Sequence, residues 1–178
     1  EIMIAVKSGK AIRFNEKTVR PIGRTASGVR GITLGNDNDE VIGMVCVNNP
    51  DEDILVISAN GYGKRSKIDD YRITNRGGKG VKTINITEKT GDLIAVKNVS
   101  NSNDLMIITE NGLTIRLAVS AISILGRATQ GVRLINLKDE DRIASVARVT
   151  VEESEDEDSE AEEGISEDFI DSEDNNLN

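Results

Sequence analysis

Histidine and tryptophan are absent from the 178 residues, cysteine occurs once, and tyrosine and phenylalanine occur twice each. Without histidine no Ser/His/Asp or Cys/His nucleophile can be assembled, and no credible zinc or iron site remains. The single cysteine excludes a disulfide framework. Cys46 sits in the apolar run Val41 to Val47 and is expected to be a small buried hydrophobe. No apolar run approaches the roughly 18 residues of a membrane span, and no signal peptide opens the chain. The expectation is a soluble protein of a reducing compartment, with no membrane partner. Glu1 stands where a Met would begin a complete chain and already reads as the edge of a strand, as in a piece of a longer protein. Phe14, Tyr62 and Tyr71 are the only aromatics before residue 150. Base stacking along a single nucleic-acid strand is therefore not supported.

What is present is charge, unevenly placed. All 22 Lys and Arg and 17 of the 31 Asp and Glu lie in residues 1–149, a net charge of +5. The other 14 acids lie in residues 150–178 with no base among them. A basic body is tied to a polyanion, and the overall −9 describes neither. From Glu152 onward Glu, Asp and Ser dominate, so residues 150–178 are expected to form a disordered acidic tail that competes with any polyanion bound by the body. Ile165, Phe169 and Ile170 interrupt it. A plain solvated tail is favoured over a partner-docking motif.

Internal repetition is the strongest signal. Three units, residues 2–47, 54–99 and 105–149, superimpose at a spacing of 51 to 52 residues. Gly9, Gly61 and Gly112 coincide, as do Arg13, Arg65 and Arg116, and Arg24, Arg76 and Arg127. Gly28, Gly80 and Gly131 align, each followed by Val (Val29, Val81, Val132) and a base (Arg30, Lys82, Arg133), with Ile32, Ile84 and Ile135 after them. Each unit opens on an apolar run and turns at Ser8-Gly9, Asn60-Gly61 or Asn111-Gly112, hairpin dipeptides in a period-2 context. A second strand then carries the aligned Arg. A third is expected over Val29 to Leu34, Val81 to Ile86 and Val132 to Leu137, and a fourth ends at Val47, Val99 or Val149. Four short antiparallel strands in about 50 residues is the period of a propeller blade. The expected fold is all-β, with three blades in residues 1–149. The best helical stretch, Val119 to Leu125, is short and β-branched.

Two patterns imitate ligand loops. Gly23 to Gly28 and Gly126 to Gly131 have the spacing of a phosphate-binding loop, but Val follows where Lys-Ser/Thr is needed. The turn Asn36-Asp37-Asn38-Asp39 lacks the Gly and closing Glu of a calcium loop and reads as solvated. Asp69-Asp70 has no sign of a partner, so no catalytic machinery and no metal site is expected. What recurs is bases beside glycines, richest in Arg76-Gly77-Gly78-Lys79-Gly80-Val81-Lys82, with Lys64-Arg65 on the hairpin before it. Glycine lets the main chain approach a phosphate while Arg and Lys supply counter-charge. The candidate DNA-binding residues are Arg24, Arg30, Lys64, Arg65, Arg76, Lys79, Lys82, Arg127 and Arg133. For Arg24, Arg76 and Arg127, and for Arg13, Arg65 and Arg116, a repeat-specific structural tie is an equal alternative. For Lys79, Lys82, Arg30 and Arg133 DNA is favoured. A base cluster repeated at each blade charges one rim of a disc, which suits a bent duplex held by its backbone.

At these loops the sequence resembles the C-terminal domain of the DNA gyrase A subunit. The strings that carry the resemblance are Gly23-Arg24-Thr25-Ala26-Ser27-Gly28-Val29-Arg30-Gly31-Ile32, Asn60-Gly61-Tyr62-Gly63-Lys64-Arg65, and Ile122 to Val132. The resemblance implies a β-pinwheel, a propeller whose blades exchange strands, with a rim that wraps double-stranded DNA. It also implies a cytoplasmic, nucleoid-associated bacterial type II topoisomerase of A2B2 assembly that introduces negative supercoils. ATP and Mg would be bound elsewhere in that assembly, and the catalytic Tyr belongs to a separate domain, so neither Tyr62 nor Tyr71 inherits its role. The family has about six blades where this chain has three, which with the acidic tail resemble its last three. Its signature box, Gln-Arg-Arg-Gly-Gly-Lys/Arg-Gly, is matched only in its second half by Thr74 to Gly80. The equivalent domain of topoisomerase IV and a protein-binding propeller are the alternative readings.

Overall fold

The computed structural model describes residues 1–138 and 141–150; the expected acidic tail lies outside the described residues but for Thr150. Strands β1 (Ile2–Val6), β2 (Lys10–Phe14) and β3 (Val41–Cys46) come from the first unit. The second supplies β4 (Asp53–Ser58), β5 (Tyr62–Lys67), β6 (Val81–Lys82) and β7 (Leu93–Val99). The third supplies β8 (Asn103–Thr109), β9 (Thr114–Ala118), β10 (Val132–Arg133) and β11 (Ile143–Thr150). Three-residue 3-10 turns follow β2, β5 and β9, and the last, Val119–Ala121, takes up the start of the stretch with the most helical pattern.

The sheets do not coincide with the units. Their orders are β3-β1-β2-β6, β10-β5-β4-β7 and β11-β8-β9. The third strands of the second and third units, β6 and β10, have each left their own unit for the outer edge of the preceding blade. Lys82 pairs with Lys10 and Val81 with Ala11. Arg133 pairs with Tyr62 and Val132 with Gly63. These strands are two residues long rather than six, because they reach only the end of the hairpin they join. Val29 to Leu34 forms no strand, since no outer edge for it exists among the described residues, and the third sheet has three strands, not four. Glycine makes the exchange possible. A Cβ on Gly80 would lie 2.6 Å from the Ala11 carbonyl oxygen and one on Gly131 2.6 Å from that of Gly63, and both backbones have positive φ.

Alternation along the strands places the core between blades. All six residues of β4 are buried: Ile54 and Val56 face the first blade, with Met3, Val45, Tyr71 and Leu93, while Leu55 and Ile57 face the third, with Leu105, Ile107, Val119 and Ile143. The exchanged segments add Ile84 to the first cluster and Ile135 to the second, so each joint is closed by its neighbour's chain. Ile32 instead joins Val6, Ile12 and Phe14 on the first blade's other face. Strands β3 and β7 pack side by side, and β7 contacts β11 in turn. Cys46 departs from expectation: on β3 the buried residue is Val45, and period-2 alternation turns Cys46 outward to solvent.

Candidate nucleic-acid interface

Two blade joints set the geometry of the outer edge. At the first, Arg13 reaches across to the 3-10 turn of the second unit. Its Nη1 donates to the carbonyls of Ile68 (2.8 Å) and Tyr71 (3.0 Å), and its Nε to Glu1 (2.6 Å). At the second, Arg65 donates to the Ile122 carbonyl (2.9 Å) and to Asn101 (2.6 Å), and pairs with Asp53. Main-chain bonds run alongside: Thr74 donates to Arg13, and Leu125 to Arg65, each at 2.8 Å. The third member of the column, Arg116, pairs with Asp104 and keeps over half its side chain in solvent. Arg13 and Arg65 keep only 11% and 6% of their side chains in solvent because a further unit packs on them.

The sequence placed Lys64 and Arg65 at a DNA surface; the structure puts both inside the second joint. Lys64 is fully buried, with Nζ donating to the Gly126 carbonyl (2.5 Å) and the Ser66 hydroxyl (3.3 Å). Burial lowers its pKa to about 8; Arg127 acts in the same direction and Asp70 opposes both. Because β5 is covered by residues 122–126, charge here does not mean exposure.

A second recurrent tie involves the arginines of the glycine loops. Arg76 donates to the carbonyls of Thr18 and Arg30 (3.1 Å each), and Arg127 to that of Lys82 (3.1 Å). Both therefore fix their loop to the base-bearing segment of the unit before. Their partly exposed guanidinium groups still lie beside that base. Arg24, at the same place in the first unit, is exposed and makes no side-chain hydrogen bond among the described residues.

The remaining bases face outward. Lys79 is exposed at the tip of its loop, Arg30 and Lys82 are exposed on consecutive units, and Lys82 Nζ donates to Asn85 (3.1 Å). The main-chain amides of Gly78 and Lys79 donate to no protein acceptor among the described hydrogen bonds. Beside them lies a cavity of about 250 Å³ lined by Arg72, Asn75, Gly78, Lys79 and Gly80. Free amides, two cations and an asparagine around a small cavity form an anion-accepting surface.

Arg133, equivalent to Lys82, is placed differently. Its Nε and Nη2 donate to the Tyr62 hydroxyl at 3.2 and 2.8 Å, and Nη1 donates to Asn136 at 3.1 Å. Lys89 and Arg133 each stand 5.4 Å from the centre of the Tyr62 ring. Residue-by-residue reading of the repeat missed Tyr62, Lys89 and Arg142, which meet at this joint. The available signal was Tyr62 at a position held by Lys10 and Leu113 in the other units.

No helix among the described residues is long and apolar enough to cross a membrane, and no cluster of acidic or cysteine ligands forms a metal site among them.

The family model described as DNA gyrase C-terminal domain, beta-propeller, matches residues 1–48, 52–100 and 103–150, the three units of the repeat. The DNA gyrase A subunit of Staphylococcus aureus (strain NCTC 8325 / PS 47) is 49% identical over 167 residues, covering 93% of this chain. The chain spans only 19% of that relative's length. Among solved structures, a DNA gyrase A C-terminal domain superimposes with a TM-score of 0.75 at 27% identity, over 83% of this chain and 50% of that one. The C-terminal domain of DNA topoisomerase IV gives 0.78 at 23% identity, over 84% and 46%, a likeness of fold.

Proposed function

The chain belongs to the DNA gyrase C-terminal domain family, and on that premise we propose that its outer edge binds and wraps double-stranded DNA by the phosphate backbone. The observation that carries this reading is the recurrence of an exposed base beside a glycine loop on consecutive units, with the Gly78 and Lys79 amides unspent. Lys79, Lys82, Arg30 and Arg24 are the phosphate contacts, joined by Arg133 at its phenol. Arg76 and Arg127 hold the loops and lend partial charge. Lys64 and Arg65 serve the joint instead.

On this reading the blades curve the duplex while the chemistry happens elsewhere. The chain would act within an A2B2 gyrase, together with the remainder of the A and B subunits, in the bacterial cytoplasm at the nucleoid. Wrapping would bias strand passage towards negative supercoils. ATP and Mg²⁺ belong to the rest of that assembly. The residues here do not fit a nucleotide, because Gly126–Gly131 leads into strand β10 with no lysine after it and no helix dipole. The identity to the gyrase A subunit favours gyrase over topoisomerase IV, whose likeness is one of fold.

Replacing Lys79 and Lys82 together by Ala should weaken duplex binding uniformly across sequences and reduce the log–log salt slope by about 2, with unfolding unchanged. Equal affinity and equal slope in the folded double variant would remove these two residues from the interface.

A further inference from the structure

Tyr62 is largely buried on β5 yet belongs to none of the three hydrophobic clusters. Its equivalents, Lys10 and Leu113, are a base and an aliphatic in the same hairpin position. It borders a cavity of about 600 Å³, with Asn60, Lys89, Arg133, Asn136 and Arg142 around it. The corresponding place at the first joint has Lys10 across from Lys82, and Asp92 where the second joint has Arg142. A cavity at the first joint is bordered by Lys7, Asp39 and Asp92, the one at the second by Lys89, Arg133, Arg142 and Asp141, so the second is the more basic.

The hydrogen-bond count at the phenol points the same way. Arg133 fills the acceptor side of the Tyr62 oxygen with two N–H groups, at 3.2 and 2.8 Å. The hydroxyl proton is left to donate, and the described residues offer it no acceptor. The Arg133 hydrogen bonds lower the phenol's pKa, with Arg133 and Lys89 charge assisting and burial opposing, so it is a stronger donor than an ordinary tyrosine. The one described carboxylate on the cavity, Asp141, is turned to main-chain amides: it accepts from Asn111 (3.1 Å) and Arg142 (2.8 Å). A donor hydroxyl and three cations, with Asp141 the one described carboxylate, line a space much larger than one water that suits a compact oxyanion.

We propose that this cavity is a phosphate-binding site: the Tyr62 hydroxyl donates to a phosphate oxygen while Arg133, Lys89 and Arg142 balance its charge. The chemistry fits a phosphodiester of duplex DNA or a free phosphate. The DNA source, though not the site, rests on the function proposed above. With DNA as the source, the site adds a contact at the β4–β5 hairpin to those of the Gly77–Gly80 loop.

The test uses the full chain. Arginine Nε–Hε and tyrosine ring resonances are followed by NMR during titration with inorganic phosphate, and separately with a 40-base-pair duplex. The variants are Tyr62→Phe, which keeps the ring, and Arg142→Gln. The expected result is a shift at Arg133 and Tyr62 on adding the anion, with affinity reduced about tenfold by Tyr62→Phe, the scale of a lost hydrogen bond to a charged group. A shift with both probes supports the site with DNA as its source. A shift with phosphate alone supports the site with a free anion. If the duplex binds and neither probe moves these resonances, the site is overturned and the DNA reading stands. If phosphate binds here and the duplex binds nowhere on the chain, the DNA reading falls and the site stands.

Discussion

Lys64 shows how one buried charge can be read in solution. Its pKa of about 8 in the fold lies below the 10.5 of a free lysine, so between these values the unfolded chain holds a proton that the folded chain does not. Stability should therefore rise with pH from about 8 to 10.5, and the penalty is fully present below 8. Lys64→Met removes the titration. Urea unfolding at pH 7 and pH 10 should show the parent gaining roughly 2–3 kcal/mol relative to the variant across that window. An identical pH dependence in both would mean that Lys64 is not desolvated. The sequence carried a hint of its burial, because its equivalents Ile12 and Ile115 are apolar. Its charge suggested otherwise. Cys46 is the converse: an apolar neighbourhood suggested burial, and only the phase of alternation along β3 shows which residue of the run turns in.

At the scale of elements, the repeat made strand positions and hairpin turns legible, since Gly9, Gly61 and Gly112 and the apolar runs recur in phase. Which blade each third strand joins was not legible in the residues. A segment such as Val81–Lys82 has the same pattern whether it pairs within its own unit or with the one before. Strand exchange entered through the family resemblance, and its physical requirement is visible only in space, where Gly80 and Gly131 touch a neighbour's carbonyl. Gly131→Ala should therefore cost more than about 1 kcal/mol, because it combines positive φ with a Cβ placed 2.6 Å from the Gly63 oxygen. Gly23→Ala, with open space around it and no positive φ, should stay within about 0.5 kcal/mol of the parent. Thermal unfolding compares them directly, and equal shifts would mean that the exchanged strand contributes little to the joint.

For the whole molecule the decisive features are a core lying between blades and a charged outer edge. The central blade buries both faces, so stability is shared with neighbours, as in any stacked repeat. The same stacking brings a glycine–base loop of each later unit to the outer edge of the blade before it. Charge segregation was readable at once, whereas the division of the bases into joint and surface was not. Arg13 and Arg65 had to be seen gripping the next unit's turn before Lys79, Lys82 and Arg30 stood out as the outward set. On the proposed function this outer set holds duplex DNA by its phosphates. Duplex affinity measured against salt concentration tests it most directly. Contact with some 6–8 phosphates predicts a log–log slope of about −5 to −7 with little dependence on sequence. Negligible affinity at about 100 mM salt, or a slope near zero, would contradict it.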